Sequence, residues 1–343
     1  MRRLTCQNCG HDVFFDSVSC VSCGQALAYA PQQAVMLSTA GERWQIGDVS
    51  YPACDNRADI GCNWLTTDDE ALCEACRHNR LIPDLSVPGN AARWAKIEAA
   101  KRVLFYSLIA WDLPRAVKVA ADDGGLAFDF LADQVLADGS EKNHLTGHAN
   151  GLITINIAEG DDAERERRRT SMGEPYRTLV GHFRHEVGHY YWDRMVATDP
   201  ARLESFRALF GDDREDYGEA LKRHYDEGAP ADWADNFIST YATAHAWEDF
   251  AETFAHYVHM VDGLETAAAF GAGVGNVAPI ADPYQATDSA ALVAAWVPTT
   301  VAINAINRSM GQPDLYPFVL SGPVSEKLAF IHDMVHRVPV AAG

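Results

Sequence analysis

The sequence has no cysteine after Cys76, no lysine in its first 80 residues and no excess of positive charge. Lys and Arg total 28 against 48 Asp and Glu, which gives a net charge of −20 and an electrostatic field that repels polyanions. We therefore expect no nucleic-acid partner. The hydrophobic content of 48% is that of a folded protein, which excludes a disordered or coiled-coil chain.

Uninterrupted hydrophobic runs of membrane-spanning length are also missing. The uncharged stretch 17–41 is broken by Pro31 and three Gln, and the stretch 289–307 is broken by Pro298, two Thr and two Asn. The first residues are followed by neither the apolar segment nor the small-residue cleavage site of a secretory signal. We expect a soluble, cytoplasmic protein with no membrane partner.

The eight cysteines form two groups of four, and the first group has a regular spacing. Its members, in the pattern C-x2-C-x10-C-x2-C, are Cys6, Cys9, Cys20 and Cys23. Two short turns with this spacing can offer four thiolates to one tetrahedral zinc ion. Gly10 and Gly24 directly follow the two pairs, where a tight turn needs a residue that tolerates positive φ. The spacing predicts a zinc ribbon over residues 1–30.

The second group is less regular but also places four thiols in a short span. Its members, in the pattern C-x7-C-x10-C-x2-C, are Cys54, Cys62, Cys73 and Cys76. We interpret residues 31–85 as a second four-cysteine zinc module. Iron in place of zinc, or reduced cysteines that only pack, are the alternatives at both groups. A closed four-thiolate shell leaves no open position, so both sites should be structural, with possible docking of a protein partner.

A helical stretch predicted over residues 177–197 carries the motif H-E-x-x-H at positions 185–189. His185 and His189 are one turn apart and can bind one zinc ion from the same side, with Glu186 beside the water ligand. This pentad also occurs by chance, so the interpretation depends on a third ligand.

The third ligand is best supplied by a later aromatic-rich stretch. The metzincin pattern is excluded, because Trp192 and Met195 stand where it requires Gly and His. Glu248 and Glu252 are one helical turn apart, and the aromatic residues around them indicate burial, where unpaired carboxylates are costly. We expect Glu248 to bind the metal and Glu252 to accept the free ring N–H of a ligand histidine. A solvated pair of glutamates is the alternative.

These motifs together resemble the gluzincin metallopeptidases, and most closely a family of zinc-binding metallopeptidases with an N-terminal zinc ribbon. The residues that carry the resemblance are the first four cysteines, the pentad 185–189 and the stretch 247–257. The resemblance implies an α+β, zincin-like peptidase domain, assigned to residues 86–343, with one catalytic zinc beside two structural ones. The step from His189 to Glu248 is longer than in thermolysin-like enzymes, and a helical insertion with pieces beginning at Asp199 and Tyr217 accounts for it.

The resemblance also implies a mechanism for peptide or protein substrates. A zinc-activated water would attack the peptide carbonyl while Glu186 takes its proton as general base. Tyr241 stands where lethal-factor-type gluzincins have the tyrosine that stabilises the oxyanion, and His245 is the alternative donor. Both could instead be ordinary packed aromatic residues.

The sequence also predicts strands, helices and a loop outside the metal-binding motifs. The β-branched stretch 151–158 is the candidate edge strand for substrate, paired with 126–130, although an interior strand is the alternative. An amphipathic helix capped by Asn90 is expected over 90–111, a loop over 271–283 and a closing helix over 325–337. A catalytically silent zinc scaffold or adaptor is the competing function.

Overall fold

The computed structural model describes residues 1–121, 123–135, 141–142, 144, 146–172, 178–272 and 280–336. The chain divides into two compact units, Met1–Val180 and Gly181–Gly343. The domain boundary predicted at residue 86 therefore lies inside the first unit and does not coincide with the boundary between the units. The reason is that Asn79–Leu81, which follows the last cysteine, pairs in parallel with the strand Ala127–Leu131.

Short hairpins form the cysteine-containing part of the first unit. Its elements are β1 (Leu4–Thr5), β2 (Asp12–Val13), β3 (Ala26–Ala30), β4 (Val35–Thr39), β5 (Trp44–Ile46), β6 (Val49–Tyr51), α1 (Arg57–Ile60) and β7 (Asn79–Leu81). The first six strands pair antiparallel in sequence order, two by two. The uncharged stretch 17–41 thus contains the β3–β4 hairpin. Apolar side chains of the hairpins, Ala28, Leu37 and Trp44 among them, form a local core.

The first long helix, α2 (Asn90–Ala110), corrects two details of the prediction. Gly89, with φ of 89°, is the N-cap, and Asn90 lies inside the first turn, where its side chain donates to the carbonyl of Asp84 at 3.0 Å. The helix is buried around its middle and is not amphipathic there, because Glu98 and Lys101 are both fully buried as an ion pair.

A four-stranded sheet follows α2 in the first unit. The later elements are β8 (Ala127–Leu131), β9 (Gln134–Val135), β10 (Glu141–Lys142), β11 (Gly147–Ala149), β12 (Leu152–Asn156) and α3 (Asp162–Met172). The sheet order is β11-β12-β8-β7, which confirms that the stretches 126–130 and 151–158 pair. The prediction of β12 as an edge strand is wrong, because β11 pairs antiparallel along its outer side and makes it interior.

The second unit is helical in its described residues. Its helices are α4 (Leu179–Tyr191), which begins two residues before the boundary, α5 (Pro200–Phe210), α6 (Tyr217–Glu227), α7 (Ala246–Ala269), α8 (Ser289–Ser309) and α9 (Gly322–His336).

The helical pieces predicted to begin at Asp199 and Tyr217 are confirmed, and the Asp199 side chain caps α5. The predicted helix 177–197 is shorter, because a π-helical turn, Trp192–Val196, follows α4. Residues 177, 273–279 and 337 of the predicted elements lie outside the described residues.

The 24-residue helix α7 is the centre of the second unit and contacts α5, α8 and α9. Phe250 and Phe254 of α7 are fully buried, and Phe250 packs edge-on against Phe206 and Phe330. Burial of aromatic side chains of this size stabilises a fold by about 1.5–3 kcal/mol each. The helix is therefore a rigid support for the polar side chains near its N-terminus.

Helix α8 is continuous despite Pro298, contrary to the expectation that this proline breaks the apolar stretch. Among the described residues it is the single helix long and apolar enough to cross a membrane by length and composition, and 28% of its apolar 18-residue segment is buried inside the protein.

Candidate metal centres

Helices α4 and α7 approach each other closely at Gly188, a variable position of the H-E-x-x-H motif. A Cβ atom at Gly188 would lie 3.0 Å from the Cα of Ala251 and 3.4 Å from the Cβ of Phe254. Only a glycine allows this approach without displacing the backbone of α7. The crossing brings His185 and His189 of α4 beside Glu248 and Glu252 of α7.

Three potential ligand atoms converge at this crossing. Glu248 Oε2 lies 2.9 Å from His185 Nε2 and 3.4 Å from His189 Nε2, and the two imidazole nitrogens are 3.2 Å apart. These three residues form one of three potential metal-binding groups among the residues that the structure describes. Tetrahedral zinc at about 2.0–2.1 Å from its ligands separates them by about 3.3 Å. The spacing of the three atoms fits one zinc ion.

The environment of Glu248 also fits a metal ligand. Its side chain is 1% exposed, and within the described part of the chain Oε2 has no well-oriented hydrogen-bond partner. Burial would raise the pKa of Glu248, but the adjacent imidazoles of His189 and His185 outweigh burial and hold this pKa well below its usual value. Because this stabilisation depends on positive charge at the imidazole positions, an oxygen buried here is stable as an ion only beside a cation, which a bound metal would supply.

Glu252 lies behind the potential ligands, as the spacing of the two glutamates predicted. Its Oε1 is 2.8 Å from His185 Nδ1, while Ser239 donates to its Oε2 at 2.6 Å. Burial would raise the pKa of Glu252, but the hydrogen bond from His185 prevails and lowers this pKa to about 2. An ionised Glu252 fixes the proton of His185 on Nδ1 and leaves Nε2 free to face the centre. No spacing in the sequence predicts the role of Ser239, which precedes α7.

The second oxygen of Glu248 has a partner that the sequence analysis also missed. The hydroxyl of Tyr217, the first residue of α6, donates to Glu248 Oε1 at 2.6 Å. Burial and the charge of Glu248 raise the pKa of Tyr217 above its usual value, so the phenol keeps its proton at neutral pH. The sequence separation of 31 residues gave no signal for this contact.

Tyr241 lies beside the centre, in a 3-10 turn (Tyr241–Thr243) before α7 rather than on α7 itself. Its ring centroid is 5.8 Å from that of His185. Burial raises the pKa of Tyr241, and the charges of Glu248 and Glu186 raise it further, so its hydroxyl remains a donor at neutral pH.

His245 does not face the centre, contrary to the expectation that it supports the site. It is the N-cap of α7, where its Nδ1 accepts from the N–H of Trp247 at 3.0 Å. Its Nε2 is 3.2 Å from the carbonyl of Glu215. Both ring nitrogens thus contact the backbone, and Nδ1 supplies the capping acceptor that the first turn of the helix needs.

Glu186 is buried on α4 between the two histidines. Its charge contributes to the raised pKa of both Tyr217 and Tyr241, which puts the carboxylate within electrostatic reach of the two phenols. The carboxylate that could move a proton therefore acts electrostatically on the hydroxyls that could donate to an oxyanion.

The eight cysteines form two four-sulfur clusters in the first unit. Both sets are grouped as predicted, Cys6, Cys9, Cys20 and Cys23 in one and Cys54, Cys62, Cys73 and Cys76 in the other. Sulfur atoms lie 3.6 and 3.7 Å apart in the first cluster and 3.7 and 3.8 Å apart in the second. Tetrahedral zinc with Zn–S of about 2.3 Å separates its sulfurs by about 3.8 Å. Both clusters therefore fit zinc.

The turns of the first cluster have the backbone that its glycines predicted. Gly10 and Gly24 have φ of 73° and 74°, and each donates its N–H to the carbonyl of the first cysteine of its pair at 2.8 Å. The second cluster is fully buried, whereas Cys9 of the first is exposed.

Comparisons with known proteins agree with this arrangement of sites. A family model described as "zinc-ribbon domain" matches residues 3–87, and one described as "Putative zinc-binding metallo-peptidase" matches residues 90–334. Uncharacterized proteins of Mycobacterium bovis and of two strains of Mycobacterium tuberculosis are each 42% identical over 340 residues, covering 98% of this chain and 96% of each relative. No solved structure matches the chain. The chain therefore belongs to the putative zinc-binding metallo-peptidase family and has an N-terminal zinc-ribbon domain.

Proposed function

We propose that the protein is a zinc-dependent peptidase of the gluzincin type, with its catalytic metal held by His185, His189 and Glu248. The observation that carries the proposal is the convergence of their three ligand atoms within 3.4 Å of one another at a buried position. Three protein ligands leave a fourth position for water or substrate, as hydrolytic zinc sites require. The two four-cysteine clusters have no such position, and we assign them structural roles.

The groups around the centre have separate roles in peptide hydrolysis. Bound zinc supplies Lewis acidity and lowers the pKa of water to about 7. Glu186 accepts a proton during attack on the peptide carbonyl and returns it to the leaving amine, which contributes a factor of about 10²–10⁴. Tyr241 donates its O–H to the developing charge on the carbonyl oxygen, a contribution of about 2.7–4 kcal/mol.

The substrate is a peptide or protein, and the cysteine-containing segment is either purely structural or a docking site for a protein partner. The net charge of −20 supports a substrate other than a polyanion. The cytoplasm remains the proposed location.

Replacing Glu186 by Gln tests the peptidase against a silent zinc scaffold. Glu186→Gln should bind as much zinc as the wild type and lose peptide hydrolysis by about 10²-fold or more, because it removes a proton acceptor and no ligand. Activity is measured on a library of fluorogenic peptides, with metal content determined on the same samples. Glu204→Gln on α5 is the control, since Glu204 is exposed. A wild type that binds the metal but cleaves none of the peptides would favour the scaffold.

A further inference from the structure

Helix α6 lies in the insertion between the two metal-binding helices, and its first residue reaches the metal centre. The hydroxyl of Tyr217 donates to Glu248 Oε1 at 2.6 Å. The ring of Tyr217 packs edge-on against His245 and Trp247, with centroids 5.5 and 5.8 Å away. These contacts fix the phenol at the start of α7, because His245 stands three residues and Trp247 one residue before Glu248 in sequence.

The two oxygens of Glu248 therefore have different partners. Oε2 lies 2.9 Å from His185 Nε2 and belongs to the triangle of ligand atoms, whereas Oε1 is held by the Tyr217 hydroxyl. A carboxylate that is free to rotate can offer both oxygens to one ion. A carboxylate whose outer oxygen accepts a short hydrogen bond offers one, because a hydrogen bond to an ionised acceptor is among the stronger polar contacts in a protein.

We propose that Tyr217 is a positioning residue that makes Glu248 a one-oxygen ligand of the metal held with His185 and His189. Tyr217 acts through Glu248 and keeps the remaining coordination position open. The inference rests on the proposed function for the presence of the catalytic metal, but it concerns how the ion is held rather than which bond is cleaved. It also explains why the insertion is part of the site: α6 supplies a contact that neither α4 nor α7 provides.

Tyr217→Phe tests this role, because it removes the O–H and keeps the ring. Tyr217 is 39% exposed, so the variant should fold. Outer hydrogen bonds to metal ligands typically contribute a factor of about 10–100 to metal affinity. We expect the dissociation constant of zinc at the α4–α7 site, measured in the full chain by competition with a chelator, to rise by about 10–100-fold in the variant.

The matched control is Tyr257→Phe, the same substitution on α7. The Tyr257 hydroxyl is buried and lies 2.8 Å from His332 Nδ1, so its loss removes a hydrogen bond that involves no potential zinc ligand. Tyr257→Phe should keep wild-type zinc affinity. Equal weakening in both variants would mean that the effect is structural and would overturn the proposal.

Cobalt(II) loaded at the α4–α7 site gives a second readout that does not depend on activity. Four-coordinate cobalt absorbs visible light more strongly than cobalt with a higher coordination number. We expect Tyr217→Phe to weaken the absorption, as the released Oε1 joins the coordination, and Tyr257→Phe to leave it unchanged. An unchanged spectrum together with an unchanged zinc affinity in Tyr217→Phe would overturn the role of Tyr217.

The same experiments separate this inference from the proposed function. A wild type that binds the third metal and cleaves no peptide contradicts the peptidase, while the effects of Tyr217→Phe on affinity and spectrum would still support the positioning role. A wild type that binds no third metal contradicts both.

Discussion

The hydrogen-bond partner of each carboxylate oxygen determines whether a glutamate at the α4–α7 centre can bind the metal. Each oxygen of Glu252 has a protein partner, His185 for one and Ser239 for the other, so Glu252 acts as a support. Glu248 has one oxygen held by Tyr217 and one that lies among imidazole nitrogens, so it can act as a ligand. The i, i+4 spacing predicted that the two glutamates share a helix face. It could not predict their partners, because Ser239 and Tyr217 come from segments whose approach depends on tertiary packing.

His256, on the same helix, gives a residue-level prediction for the pH dependence of stability. Burial lowers the pKa of His256 to about 4. Because the unfolded value is about 6.5, the unfolded chain binds an additional proton between these two pH values, and the free energy of unfolding falls as the pH falls through this window. The slope from this one group is at most about 1.4 kcal/mol per pH unit.

Urea unfolding of the wild type and His256→Gln at pH 7 and pH 5 measures this contribution. Protonation of other groups, including the metal ligands, affects both proteins, so the difference between them reports His256. The variant should lose less stability than the wild type between the two pH values. Equal losses would mean that His256 is not held neutral in the folded protein.

At the scale of elements, the close crossing of α4 and α7 depends on one glycine. Gly188→Ala adds a methyl group 3.0 Å from the Ala251 Cα, and the backbone must move to accommodate it. We expect a loss of about 1–3 kcal/mol in the free energy of unfolding and weaker zinc binding, because the histidines move away from Glu248. Chemical denaturation and metal analysis on the same preparation measure both effects.

Gly218→Ala in α6 is the control for Gly188→Ala. A Cβ atom at Gly218 would meet only the Asp216 side chain at 3.5 Å, an ordinary contact. Alanine is the better helix former, so this variant should be as stable as the wild type or more stable by up to about 1 kcal/mol. If Gly188→Ala is tolerated as well as the control, the crossing is looser than the structure describes.

Element prediction from the sequence succeeded where local signals are strong. The Asp199 cap with a proline in the first turn and the positive-φ glycines of the first cysteine cluster are local signals of this kind. The interior position of β12 was not predictable, because it depends on β11, a three-residue strand with no alternating pattern. The N-cap of α2 was misassigned since Asn90 bonds backward to Asp84 rather than to its own helix.

At the scale of the whole molecule, the potential metal sites belong to separate compact units. Both four-cysteine clusters lie in Met1–Val180, whereas His185, His189 and Glu248 lie in Gly181–Gly343. Metal binding to one unit should therefore survive the loss of the site in the other. This independence makes the number of metal ions per chain a direct measure of which sites exist.

Elemental mass spectrometry of zinc and iron per chain, in the wild type and in a His185→Ala/His189→Ala double variant, shows whether the α4–α7 crossing holds a metal ion. We expect three ions in the wild type and two in the variant, because the cysteine clusters remain loaded and only the α4–α7 site is lost. The same metal content in both proteins would mean that no metal binds at the crossing of α4 and α7. That result would also contradict the proposed peptidase function.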